Sequence, residues 1–317
     1  MESTLLEKDK WRHHRMRLDP QAIINSRLGV GLALGLGRNI PPGAGYRLAE
    51  FVADTIADRA DWKMVQAVRA NQWVVSGGKL SPERLNHAVQ ATLRNTGHSI
   101  YDLYHYIHDV EALHGLIEFD PTSLRFIERS QREEDGLVLV GVHLCGFDLA
   151  LQAASLHGLK AMAITLPDLN GGYQWQFEMR KRVGLEIEVA SVATLHQAIH
   201  RLQEGGTVLT GLDRPFPGLK HQPRFFGRPA SIPIHHVRLA LKAKVPVVVG
   251  SCVLQPDGTY KFLISEDIHM ETHPDKEVEL LTNAETVLQA AEEIIFQAPH
   301  QWAMFYPVWP EVLEQIP

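Results

Sequence analysis

At 317 residues, 45 % hydrophobic and 21 % charged, the chain has the composition of a globular protein with a substantial apolar core. A formal net charge of −6 speaks against a nucleic-acid binder, whose footprint is strongly basic. Two cysteines, Cys145 and Cys252, make neither a disulfide framework nor a zinc pattern, which suits a reducing compartment.

No run approaches the roughly 20 apolar residues that cross a bilayer. The longest near-uncharged run toward the N-terminus, 28–37, lies between Arg27 and Arg38 and sits too far in for a secretion signal. The expectation is a chain that neither spans a membrane nor is exported, yet can lie on a membrane surface. Residues 8–17 carry five Lys/Arg, one Asp, two His and Trp11. Such a segment suits an anionic lipid surface, at about 1 kcal/mol per basic residue near the headgroups, and equally suits a solvated terminus. Residues 23–56, broken by Gly29, Gly31, Gly35, Gly37 and Pro41-Pro42, read as two helical pieces with an apolar face. That face is either buried in the protein or laid into lipid, and it is also open to self-association.

From Trp62 to Ile117 the pattern is helical, with Ser81-Pro82 a cap and first turn. His98, Asp102, His105 and Asp109 recur at helical spacing and are read as a polar face rather than a metal site. A charged, loop-like stretch from Glu128 to Gly136 closes this half. Beyond it, apolar runs at 137–142, 161–166, 185–189, 207–212 and 245–254 alternate with helical stretches from Phe147, at 173–182, at 192–203 and at 233–242. Pro256-Asp257-Gly258 turns the last run back into 259–264 as a hairpin. The fold class expected is α/β, a largely parallel mixed sheet flanked by helices. A helical, membrane-facing N-terminal region (1–135) precedes the α/β core (136–317).

Ligands in such sheets gather beyond the carboxyl ends of the strands. His143 is the first polar residue after the strand 137–142, and Asp148 follows five residues on. In one continuous helix that spacing leaves the side chains about 140° apart, so they meet only if the chain turns at Gly146. An aspartate on Nδ1 would leave Nε2 free to take a proton. The bland alternative is a rim histidine followed by a helix-capping aspartate. His14 and Asp19 match the same spacing but follow no strand. Cys145, next to His143, is read as packing rather than as a nucleophile. Arg180 stands beside Lys181 and Arg182, and Asp213 beside Arg214 at a strand end, where a local ion pair is the plain alternative. Lys220, Arg224 and Arg228 surround Phe226-Gly227, positive charge beside an apolar, flexible patch of the kind that suits an amphiphile's phosphate head. No GxSxG elbow, HExxH or Walker A sequence occurs, and the N-terminal glycines miss the dinucleotide spacing.

Taken in order, GVHLCGFD (141–148), MRKRVG (179–184), LDRPFPG (212–218), RFFGRP (224–229) and PHQWAMFYPVWP (299–310) resemble the bacterial lipid A biosynthesis acyltransferase family, which includes phosphatidylinositol mannoside acyltransferases. The resemblance implies a glycerolipid acyltransferase-like fold, with His143 as general base, Asp148 as its orienting carboxylate, Arg180 as an active-site arginine and Asp213 as a second acidic position. It also implies an acyl-CoA or acyl-carrier-protein donor, a (glyco)lipid or lysophospholipid acceptor, and no metal or other cofactor. Peripheral attachment to the cytoplasmic face of the cell membrane is the expected location. The family often has Gly-Asn-Trp where this chain has Cys145-Gly146-Phe147. Read physically, hydroxyl attack on a thioester needs a base near neutral pKa, and imidazole is the unperturbed side chain that qualifies. A thioesterase or lipid hydrolase using the same histidine, and a non-catalytic lipid-binding protein, are the rival readings.

Overall fold

The computed structural model describes residues 35, 37–107, 109–165, 177–178 and 180–317. The basic segment 8–17, the His14–Asp19 pair and residues 23–34 and 36 of the expected N-terminal helical pieces lie outside them. Helix α1 (Pro42–Ala57) starts on Pro42, whose fixed φ suits a first turn. Helix α2 (Lys63–Val75) buries Ala67, Val68, Ala70, Asn71 and Gln72. Ser81 caps the 25-residue helix α3 (Pro82–Tyr106) by accepting from the Arg84 N–H, as its position predicts. Short helix α4 (Val110–Leu116) leads into a strand that no pattern announced, β1 (Ile117–Phe119).

Next comes helix α5 (Pro121–Arg132), capped by Asp120. It replaces much of the loop expected from Glu128. Its bulky residues Phe126 and Ile127 are buried while its arginines point out, so a charged sequence folds as an amphipathic helix.

The core strands are β2 (Leu137–Gly141), β3 (Met162–Thr165), β4 (Glu186–Val189), β5 (Thr207–Gly211), β8 (Val247–Leu254) and β9 (Tyr260–Ile264). They alternate with α6 (Phe147–Leu156), α7 (Val192–Gln203) and α8 (His235–Ala243). Two-residue strands β6 (Arg224–Phe225) and β7 (Arg228–Pro229) form a separate small hairpin. The main sheet has seven strands in the order β1-β9-β8-β2-β5-β3-β4, parallel except for the β8–β9 hairpin. The sheet is therefore mixed and largely parallel, as expected from the alternation.

Period-2 burial divides its two faces. Val138, Val140, Val208, Val247 and Val249 pack against α7, α8 and a long helix α9 (Lys276–Gln297). Leu137, Leu139, Val248 and Phe262 pack against α4, α5 and α6, with Leu103 and Tyr104 of α3. Strands covered on both sides carry continuous apolar runs for this reason. Among the described residues no helix is long and apolar enough to cross a membrane.

Candidate active site

Strands β2 and β5 are parallel neighbours in register, Gly141 opposite Gly211. Both therefore end at the same rim, and the residues just past each end face one another. His143 follows β2, and Asp213 follows β5 by two residues. The Asp213 carboxylate, fully buried, accepts from the ring and the backbone of His143 together: Nδ1 to Oδ1 is 2.5 Å and the His143 N–H to Oδ2 is 3.0 Å. The Trp302 indole N–H donates to Oδ2 at 2.6 Å. A buried carboxylate must be multiply bonded to remain charged, and here three donors serve it.

The expected partner of His143 was Asp148, and the geometry differs. Nδ1 is taken by Asp213, while Asp148 accepts from Arg180, with Nε at 2.9 Å and a second, shorter bond from an Nη to the same oxygen. The physical reason is the pairing of β2 with β5, which brings Asp213 onto Nδ1. The chain turns at Cys145-Gly146, and α6 begins at Phe147 with Gly146 as its N-cap. Asp148 thus sits in the first turn of α6, a favoured place for a carboxylate, one layer out from the ring.

All four catalytic candidates are nonetheless in one site. The Phe147 ring packs edge-on to the His143 ring at 4.9 Å between centroids, and the Arg180 guanidinium lies 5.8 Å from the centre of the Phe147 ring. Arg214 reaches the Tyr306 hydroxyl at 3.0 Å and lies over that ring.

The remaining binding candidates are placed differently. Phe226 and Gly227 form the turn between β6 and β7, with Phe226 at φ 50° and Gly227 at φ 72°. Glu285 and Glu292 of α9 accept from the backbone N–H groups of Arg224 and Phe226. Arg224 also donates to the Gly227 carbonyl, and Arg228 lies over Trp73. Both phenylalanines pack on Trp302 and Trp309, so the hairpin meets the His143–Asp213 pair through the indole that holds Asp213. Lys220 pairs with Glu277 at 3.5 Å.

Burial opposes charging His143, but the charge of Asp213 and its hydrogen bond, helped by Asp148, raise the ring's pKa above its usual 6.5. Burial likewise pushes Asp213 up, and the charge and bonds from His143 and Trp302 more than offset it, leaving this carboxyl below 3.8. Among the described residues Nε2 has no hydrogen-bond partner, and the His143 side chain is 29 % exposed. The arrangement leaves an imidazole with one nitrogen pinned and the other open. Burial pushes the Cys145 thiol up to about 11, which leaves it protonated at neutral pH. Among the described residues no group of three or more His, Cys, Asp or Glu is arranged to hold a metal. Asp102 points inward rather than joining a polar face: it is 1 % exposed and accepts from the Tyr46 and Tyr260 hydroxyls.

Sequence reasoning missed Trp302 and the framework around it. The segment 301–303 runs alongside 143–145 like a strand: Cys145 donates to the Gln301 carbonyl at 2.8 Å and Ala303 to the His143 carbonyl at 2.9 Å. Buried Asn71 of α2 holds the far end, donating to the Met304 and Tyr306 carbonyls and accepting from Val308 N–H. Gln72 donates to the Pro299 carbonyl. The available signal was an Asn-Gln pair amid an apolar helix, polar groups that burial forces to find partners.

Sheet and pair together define a class: α/β proteins that hold a histidine–carboxylate couple over the carboxyl rim of a parallel sheet. This chain belongs to the bacterial lipid A biosynthesis acyltransferase family, whose profile matches residues 18–311. It is thus a transferase of the lipid acyltransferase kind. No curated protein matches the chain.

Proposed function

We propose that the protein transfers a fatty acyl group from a thioester, acyl-CoA or acyl-carrier protein, to a hydroxyl of a glycolipid or lysophospholipid, working peripherally on the cytoplasmic membrane face. The observation that carries this reading is the 2.5 Å contact between His143 Nδ1 and the buried Asp213, with Nε2 left open. The acceptor hydroxyl gives its proton to Nε2 as its oxygen attacks the thioester carbon. The tetrahedral intermediate then expels the thiolate, which takes that proton back from the imidazolium. Asp213 fixes the tautomer and stabilises the transient cation. Arg180, held by Asp148 beside Phe147, supplies positive charge for the developing oxyanion. Thioesters are already activated, so one base and this stabilisation suffice.

His143→Ala should lower turnover about 10²- to 10⁴-fold, the usual scale for a lost general base, with the unfolding transition retained. The assay follows one labelled acyl thioester into acylated lipid or free fatty acid. Near-wild-type transfer by the variant overturns the mechanism, and free fatty acid as the sole product makes the protein a hydrolase.

A further inference from the structure

A second concave site opens at the same rim, on the opposite face of β5. It is a cavity of about 250 Å³ whose wall includes Lys220, His221, His235 and Arg238, with Leu219 and Ile232 as apolar lining. That volume lies below the roughly 300–1,000 Å³ of pockets for whole drug-sized ligands, so it suits a headgroup-sized moiety rather than a complete lipid.

Its lining holds two cationic side chains, Lys220 and Arg238. Lys220 is paired with Glu277, but Arg238 has no ion-pair partner among the described residues. His235 is the first residue of α8, a helix with no side-chain cap and no acidic residue in its first turn. Its leading N–H groups and dipole therefore add positive potential to that of the side chains. His235 Nε2 lies 2.6 Å from Thr210 Oγ1, which leaves Nδ1 as the ring's polar atom for an occupant. Burial drives this ring's pKa down to about 4, so at neutral pH it is uncharged and can donate from Nδ1 when the threonine donates to Nε2. Two histidines without a carboxylate beside them are a poor cation cage, and an anion fits better.

The cavity is one residue of β5 away from the transfer site. A Cβ added to Gly211 would lie 3.3 Å from His143 Cε1, and Thr210, immediately before it, touches His235. Successive strand residues face opposite sides, so a ligand reaching both points crosses the rim. It carries its anion several bonds from the reacting atom.

We propose that this cavity is a phosphate-ester site that anchors a substrate of the transfer reaction through Arg238, Lys220 and the α8 N-terminus. Two substrates bear that chemistry, a donor's phosphopantetheine or nucleotide phosphate and an acceptor's headgroup phosphate. The inference rests on the proposed function only for who carries the phosphate, not for the binding itself.

The test is direct titration of the full chain at neutral pH, following the His221 and His235 imidazole resonances. Inorganic phosphate, CoA, pantetheine and glycerol 3-phosphate are the probes. Saturable shifts with phosphate, weakened about 10- to 100-fold in Arg238→Gln, the scale of a lost charge-assisted bond, support the site. Lys220→Gln gives a second variant at an exposed position. CoA binding far above pantetheine identifies the donor phosphate, and glycerol 3-phosphate binding above CoA identifies the acceptor. His143→Ala should keep the phosphate response while losing transfer. A phosphate response without acyl transfer in the native protein sinks the proposed function and keeps the site. Absence of saturable shifts, or affinities unaltered by both substitutions, overturns the site whatever the transfer assay reads.

Discussion

Asp213 contributes through its charge, and its neighbours keep that charge in place. Because the folded His143 pKa is raised, the pair's contribution to stability is full below about pH 6.5 and is lost as pH climbs through the raised value. Asp213, depressed, contributes above its unfolded value of 3.8, and that contribution is lost on acidification through the lower folded value. A base works only when neutral, so kcat/KM should rise with pH along a limb centred above 6.5. Asp213→Asn removes the charge that raises the ring and should move that limb to lower pH, with kcat down roughly 10²- to 10⁴-fold. Asp148→Asn, acting from one layer out, should lower kcat less. A pH–rate profile left in place by Asp213→Asn would show that Asp213 does not govern the base.

At the scale of elements, the turn that launches α6 is packed to its limit. A Cβ on Gly146 would fall 2.5 Å from Tyr260 Cδ1 and 2.6 Å from Cys252 Sγ, both in fully buried side chains. Gly146→Ala should therefore cost about 1–3 kcal/mol of unfolding free energy, the range for overpacking, read from urea denaturation. Unchanged stability would mean that the turn has room. The same turn shows what was legible in the sequence. Strands β2, β3, β5 and β8 and helix α7 announce themselves, because elements buried on two faces or one stripe carry continuous or periodic apolar runs. Helix α9 was not among the expected elements, although Ala284, Val287, Leu288, Ala291 and Ile295 form a helical stripe beyond the hairpin. Strand β1, three residues at an edge, is too short to leave a period. His143 was legible from its position after a strand. Its pairing was not, since Asp213 lies 70 residues on and only the β2–β5 adjacency brings the two together. A five-residue spacing drew attention to Asp148 instead, yet the chain turns at Gly146 as expected and Asp148 is taken by Arg180 while Asp213 holds Nδ1.

Over the whole molecule, the sheet is covered on both faces, yet α1 keeps an apolar stripe in solvent. Leu48, Phe51 and Val52, at helical spacing, are 42 %, 69 % and 46 % exposed. Such a stripe suits the plane of a lipid interface. Phe51→Ser should weaken flotation with phospholipid vesicles about tenfold, corresponding to ~1.5 kcal/mol of lost aromatic burial. Equal flotation of both proteins would assign vesicle contact to some other surface.

The clamp of residues 301–303 on residues 143–145 also sets an order of events during synthesis. Every described strand of the sheet, and the histidine itself, is synthesised before Trp302. Until then the carboxylate lacks its indole donor and the histidine segment lacks its flanking strand. A nascent chain therefore contains His143 and Asp213 before the segment that clamps them exists. Shortened products ending before Pro299 would keep both dyad residues and lose the clamp that aligns them.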